Sequence, residues 1–344
     1  MKTFANQIKS HRRTGHSFCS RMLKAFALMF VMVGLAQAEV KTLACSPTKE
    51  VQVIDMPGEY VLIEDCAVER DGISINASDV QLNLDGHTIS GPGCDVRPEH
   101  PTGITVFGSN VHVTGGTVKG FQGGVQVRTL SGSADRSADH NQLSHLTVTE
   151  NCTGIELRLS NNNRLNFNNV SGNFLAGVVI DQGSDNQVNF NVINENGSRD
   201  DDPTLKGRGI LLEKADSNVI AFNAISRNEE AGVNLLAGQT DEPVGPGSNN
   251  NTIAGNIVTE TALDGIRVDV GNNNTIHGNL SSDNERGIVL GKRARGNFVL
   301  RNTALGNERF DLADLTKNCD NNKWRRNIFK TDSEDNGPRK GCIR

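Results

Sequence analysis

Residues 177–208 read GVVIDQGSDNQVNFNVINENGSRDDDPTLKGR, and residues 209–231 read GILLEKADSNVIAFNAISRNEEA. Both lines open on a glycine followed by alternating aliphatic residues. Both then place asparagines at a fixed step: Asn186, Asn191 and Asn196 in the first, Asn218, Asn223 and Asn228 in the second. The step recurs at Asn163, Asn168 and Asn173, at Asn274, Asn279 and Asn284, and at Asn297, Asn302 and Asn307. The glycine openings fall at Gly72, Gly103, Gly124, Gly154, Gly177, Gly209, Gly232, Gly265 and Gly287. Their intervals alternate between 30–33 and 21–23 residues. The unit is the shorter one, and the longer intervals carry about ten inserted residues.

Within a unit, aliphatic and polar residues alternate over three to five positions, which is the period of a strand. So short a unit cannot bury its own apolar face and must stack on its neighbours. Three short strands per unit make one coil of a parallel β-helix, with coils about 4.8 Å apart. The predicted fold is therefore all-β, a solenoid of about 9–10 coils. Asparagine is expected at the bends because it tolerates the left-handed backbone region. Stacked in register, each amide can bond to the amide one coil away and form a ladder. This reading assigns the repeated asparagines to structure rather than to binding.

The first 38 residues read differently. Met1 to Lys24 holds six Lys or Arg and no acid, Ala25 to Ala36 is apolar, and Ala36-Gln37-Ala38 is a small-x-small cleavage site. This is the pattern of a secretory signal peptide. The apolar run is too short to span a bilayer. Met22 would itself begin a compact signal, with Cys19 upstream of it. The expected organisation is a signal peptide over 1–38, an N-terminal cap over 39–71, repeats over 72–310 and a C-terminal cap over 311–344. Residues 39–344 would form one domain, with no transmembrane segment.

The whole chain has 35 basic and 40 acidic residues. Removing the six basic residues of the signal leaves 29 against 40, a net charge of −11. Such a balance argues against nucleic acid and anionic membrane as partners, and disfavours a polyanionic substrate unless local basic patches or a cation intervene. Six cysteines remain: Cys45, Cys66, Cys94, Cys152, Cys319 and Cys342. An even number in an exported chain reads as disulfides, and six allow fifteen pairings. Cys45–Cys66 and Cys319–Cys342 are favoured because each pair lies at one end of the repeat, where open strand edges need a cap. Cys94–Cys152 is the remainder. No C-x-x-C spacing supports a metal site.

The chain resembles the right-handed parallel β-helix proteins of the pectin-lyase-like superfamily, and within it the NosD-type branch. The residues that carry the resemblance are Leu84-Asp85-Gly86-His87-Thr88-Ile89-Ser90-Gly91, the Gly-Ile and asparagine repeats, the Cys45/Cys66 entry, and the close with Asn322, Trp324, Asn327, Phe329 and Cys342. It covers about residues 42–344 and implies the right hand of the helix. Members include polysaccharide lyases, hydrolases, C5-epimerases, adhesins and proteins without known activity. The motifs of characterised pectate lyases, polygalacturonases and epimerases are missing here. Gly86-His87 matches a fragment of the polygalacturonase set, but in the first coil.

The four insertions are Gly91–Thr102, Leu130–His140, Gly197–Arg208 and Gly238–Ser248. The first and third precede a glycine strand, and the second and fourth follow one. All four border the same strand of the coil, which predicts a groove floored by that strand's outer face. Neutral tolerance of insertions is the plainer alternative. The outward residues would be the second and fourth after each glycine. They are Gln126 and Arg128, Glu156 and Arg158, Val179 and Asp181, Leu211 and Glu213, Asn234 and Leu236, Arg267 and Asp269. Of these, Arg128, Arg158, Gln126, Asn234, Arg267 and Asp269 are candidate substrate-binding residues, because arginine clamps a sugar carboxylate and amides bond hydroxyls. Asp181, Glu213 and Glu156 are candidate catalytic carboxylates. One coil apart, such groups would lie near 5 Å, and two coils apart near 10 Å, spacings that bracket retaining and inverting glycoside hydrolysis. Stacked like charges would also raise one carboxylate's pKa. The alternative is a solvated charged face.

No cofactor is expected. Asp200, Asp201 and Asp202 offer weak ligands for Ca²⁺, though a solvated acidic loop is the simpler reading. The histidines lack ligand spacing, and Met56 is the only methionine beyond the signal, so thioether copper binding has no support. With one Trp and one Tyr, a strong aromatic sugar platform is not expected. The leading expectation is a secreted or periplasmic protein that binds extended carbohydrate, such as an envelope glycan, along the Gly-Ile face. The alternatives are a polysaccharide lyase, hydrolase or epimerase, and a NosD-type accessory factor for a periplasmic protein.

Overall fold

The computed structural model describes residues 39–45, 51–94, 100–130, 137–197, 207–237, 247–333 and 341–343. The signal-peptide expectation, residues 1–38, lies outside them.

One coil shows how the sequence becomes shape. The strand Ala176–Asp181 opens on the repeat glycine, Gln187–Asn189 follows a first bend, and Val192–Asn194 follows a second. Each pairs in parallel with its counterparts one coil away: Val178 with Ile155 and Ile210, Val188 with Leu165 and Ile220, Ile193 with Val170 and Ile225. Repetition builds three parallel sheets, of eleven strands (the glycine sheet), twelve (the second sheet) and ten (the third sheet). The fold is the right-handed parallel β-helix expected above. No helix among the described residues is long and apolar enough to cross a membrane.

Inward residues form columns of like with like. Val178, Ile180, Val188 and Ile193 are at most 1% exposed, as are Ile210, Leu212, Ile220 and Ile225 above them. The repeat glycine is required by proximity. A Cβ on Gly177 would stand 2.8 Å from the Gly209 carbonyl oxygen and 2.9 Å from Ile193 Cγ2.

The asparagines form three ladders inside the bends. Oδ1 of Asn191 accepts from the Asn168 backbone N–H at 2.9 Å and from Asn168 Nδ2 at 3.0 Å, while its own Nδ2 donates to the Leu165 carbonyl at 2.9 Å. The ladder thus ties each bend to the next and leaves few polar groups unpaired, as a buried bend demands. The expected reason for asparagine was wrong in one respect. The left-handed residue is the one before it: Asp185 (φ 58), Phe190 (φ 59) and Glu195 (φ 57) precede Asn186, Asn191 and Asn196. That residue points out and varies freely. The asparagine points in, and is selected for an amide that both donates and accepts. The third ladder breaks where Thr261 replaces asparagine, its Oγ1 donating to Asn284 Oδ1 at 2.7 Å.

The strands run into both expected caps. Gln52–Ile54 begins the glycine sheet, Lys41–Leu43 pairs with Gly58–Leu62, and Phe310–Asp314 and Lys323–Arg325 end two of the sheets. Trp324 closes the C-terminal end, with Nε1 donating to the buried Asp314 Oδ2 at 2.8 Å. All three expected disulfides form: Cys45–Cys66, Cys94–Cys152 and Cys319–Cys342. Disulfides persist outside the reducing cytosol, so the bonds fit a periplasmic or extracellular setting.

Candidate functional site

On the glycine sheet the first and third residues after each glycine point inward and the second and fourth point outward. Ile155 and Leu157 are fully buried, Glu156 is partly exposed and Arg158 is exposed. Register sets the outer face: Gln126 pairs with Thr105 and Glu156, Arg128 with Arg158, Arg158 with Asp181, and Asp181 with Glu213. Two columns follow. The inner one runs Thr105, Gln126, Glu156, Val179, Leu211, Asn234 and Arg267, and the outer one Arg128, Arg158, Asp181 and Glu213. Glu156 therefore stacks on Val179 and does not share a column with Asp181 and Glu213.

A groove of about 640 Å³ lies over the earlier coils of this sheet, between Val51 and Arg158. Gln126, Arg128, Glu156 and Arg158 line it. Gln126 Nε2 donates to Glu156 Oε2. The Arg128 guanidinium lies 5.1 Å over the Phe107 ring, and its Nε, buried, has no hydrogen-bond partner among the described residues. Gln122 Oε1 is buried and unpartnered in the same way. Arg158 Nε stands 3.3 Å from Asp181 Oδ2. Hence the groove has two guanidinium groups, one paired at its rim and one not.

Sequence reading missed Asp71, Ser74, His100, Thr102, Thr105, Gln122 and Thr153, which also line the groove. Ser74 and Thr105 obey the same rule, each second after a repeat glycine, and were legible from Gly72 and Gly103. His100 and Gln122 lie outside the strands, so strand period gives no signal for them. The insertions do flank the glycine strands. The first ends at Thr102–Val106, the second starts after Gly123–Arg128, the third ends at Arg208–Glu213 and the fourth starts after Ala231–Leu236. Cys94, at the base of the first, is bonded to Cys152, next to the groove residue Thr153. The insertion centres, and with them the Ca²⁺ candidates Asp200, Asp201 and Asp202, lie outside the described residues. Among the described residues no three His, Cys, Asp or Glu are gathered to hold a metal ion.

The later coils differ. Asn234 lies in the column of Gln126 and Glu156 yet is 1% exposed, and Val289 and Ala313 farther along it are equally covered. Arg267 is held by Asp264 at 2.7 Å and by Asp269 at 2.5 Å, and Asp264 is held again by Arg286 at 2.5 Å. Burial works against the Arg267 charge, but the hydrogen bonds and charges of Asp269 and Asp264 outweigh it and raise its pKa above the ordinary value. Arg267 and Asp269 line a separate hollow of about 280 Å³ with Lys292 and Arg293. The structure thus gathers Gln126, Arg128, Glu156 and Arg158, sets Asp181 and Glu213 beyond them on the outer column, and keeps Asn234, Arg267 and Asp269 apart.

Aromatic side chains are also arranged more closely than the single Trp and Tyr implied. His145, Phe167, Phe190 and Phe222 stack at 5.3–5.5 Å on the bend between the second and third sheets, away from the groove.

The model of the right handed beta helix region matches residues 58–243 and 244–338. Comparison with curated protein sequences gives no match. Among solved structures, a mutant of the periplasmic alginate epimerase AlgG is similar at a TM-score of 0.61 and 14% identity, over 88% of this chain and 77% of that one. The A-module of the mannuronan C-5 epimerase AlgE6 from Azotobacter vinelandii is similar at 0.58 and 16%, over 88% and 80%. The Dettilon tailspike protein is similar at 0.56 and 14%, over 81% of this chain and 61% of the tailspike. At these identities the likeness is one of fold.

Proposed function

The chain belongs to the right-handed β-helix family, and from that premise we propose that it binds an extended carbohydrate bearing carboxylates in the groove over the glycine sheet. The observation that carries this reading is Arg128. Its guanidinium rests on Phe107, its Nε is buried without a partner, and Gln126 and Arg158 flank it. The Nε itself is covered, so a ligand would meet the guanidinium through its groove-facing edge, and Arg128 has no ion-pair partner among the described residues. Arginine offers a sugar carboxylate two parallel donors. A stacked solenoid repeats its outer positions at about 4.8 Å, so the face suits a linear ligand. Neighbours of the same fold named for alginate and mannuronan make acidic glycans the first to screen.

Residues 1–38, read as an export signal, would send the protein to the periplasm or outside the cell, and the disulfides fit such a setting. Binding to acidic and neutral polysaccharides, measured by calorimetry on wild type and Arg128→Ala, tests the proposal. Loss of an acidic-glycan signal in the variant supports it, and equal binding by both refutes it.

A second reading is an enzyme acting on the same class of ligand. The succession Arg158, Asp181, Glu213 favours it: a cation and two carboxylates in consecutive coils of one column. Product release that disappears in Asp181→Asn and in Glu213→Gln would support it. The NosD-type accessory role is tested by co-purification of a periplasmic protein without glycan retention.

A further inference from the structure

The segments Gln187–Asn194, Val219–Ser226, Thr252–Thr259, Thr275–Ser282 and Phe298–Leu305 occupy the second sheet, the second bend and the third sheet in five successive coils. Between them they carry one formal charge, Arg301. The next bend is charged in four of these five coils: Glu195, Arg227, Glu260 and Asp283 hold its left-handed positions, and Gly306 holds the fifth. The rod thus has one uncharged ridge beside a charged one.

The uncharged ridge is also apolar and exposed. Phe167, Phe190 and Phe222 are 56%, 50% and 58% exposed, and Val192, Ile257 and Leu280 are 47%, 50% and 38% exposed. Val192, Ala224, Ile257 and Leu280 follow one another in register on the third sheet. The strip from Phe190 to Leu280 spans four coils without a formal charge, about 15 Å at strand spacing, and Phe167 extends it into a coil that carries the exposed Arg164. Apolar surface this continuous marks a contact. Its rings face each other within the stack and offer edges outward, so the ring faces that a sugar would cover are already taken.

We infer that this ridge joins two copies of the chain. Electrostatics favours a second copy: a chain of net charge −11 without its first 38 residues repels a copy of itself on average, and a face without formal charge brings two copies together at little electrostatic cost. The shape along the ridge favours it as well. The bend column runs Phe167, Phe190, Phe222, Gly255 and Gly278, and the Gly278 position meets nothing within 4 Å. Three rings are followed by Gly255, which the Phe222 ring covers, and by the open position at Gly278. A two-fold axis that sets the rods antiparallel brings the ring end of one copy over the glycine end of the other, the self-complementarity an isologous dimer needs. A strip about 13 Å wide buries only about 200–300 Å² per copy, far below a standard interface, which makes the association weak and reversible.

Sedimentation velocity on the purified protein, from about 1 µM to about 300 µM, reads this directly. The expected result is a concentration-dependent dimer that Phe190→Asp and Leu280→Asp each weaken at least about tenfold, with circular dichroism unchanged. Both residues are exposed, so neither change disturbs the core. A monomer throughout the range overturns the inference, and so does a dimer that both variants preserve. Arg128→Ala should dimerise normally, which separates this surface from the glycan groove.

Discussion

Arg158 Nε stands 3.3 Å from Asp181 Oδ2, and the two residues are register partners in adjacent coils. Asp181 also accepts from Gln182 Nε2 at 3.2 Å. The pair sits at the rim of the groove, with Arg128, Gln126, Glu156 and Asp71 on the N-terminal side and Glu213 one coil beyond.

Asp181→Asn should free Arg158 for a ligand carboxylate. Half-exposed ion pairs are worth about 0.2–1 kcal/mol, so affinity for an acidic glycan should rise about two- to fivefold. Calorimetric titration measures it. If turnover exists and vanishes in this variant, the enzyme reading gains instead.

Asn191→Ala should cost about 2–4 kcal/mol, because it strands Asn168 N–H, Asn168 Nδ2 and the Leu165 carbonyl in the bend. Asn196→Thr should cost less. Thr261 fills the equivalent place two coils on and still reaches Asn284 through its backbone N–H and Oγ1. Chemical denaturation of both variants gives the comparison.

The two disulfides away from the N-terminus should separate stability from binding. Removing Cys319–Cys342, which closes a 23-residue separation, should cost about 3 kcal/mol of unfolding free energy. Removing Cys94–Cys152 should also weaken glycan binding, since it holds the base of the first insertion beside Thr153. Thermal midpoints and affinities on the two double Cys→Ser variants decide it.

Asp311 gives the C-terminal end an acid sensitivity. Burial pushes its pKa up, but the hydrogen bonds from Asn307 Nδ2 and from the backbone N–H groups of Lys330, Asn307 and Thr331 outweigh it, so the carboxyl is held below 3.8. A depressed folded-state pKa means this stabilisation is complete above 3.8 and is lost as pH falls through the folded value. Asp311→Asn should therefore lower the thermal midpoint at neutral pH and converge on wild type in strong acid. A constant gap from pH 7 to pH 2 would contradict the assignment.

Much of this was legible because a solenoid repeats its information. Gly-aliphatic openings and asparagines five apart stated the coil, the inward and outward positions and the insertion sites. The reason for the asparagines was not legible: sequence spacing cannot tell a residue with φ near 58° from its inward neighbour, and both Asp185 and Asn186 suit a left-handed bend. Nor could alternation show that Asn234 is covered, or that Arg267 is taken by Asp264 and Asp269, since those depend on neighbours in other coils. The Phe167–Phe190–Phe222 stack was visible only after the register was known. Counting Trp and Tyr alone missed it.

The most direct test of the groove is one titration series: the purified protein against an acidic and a neutral linear polysaccharide, with Arg128→Ala alongside. Wild type should bind the acidic chain, and the variant should lose at least about tenfold in affinity, the value of a charge-assisted hydrogen bond. Binding of neither polysaccharide by wild type, or equal binding of the acidic one by both proteins, would contradict it.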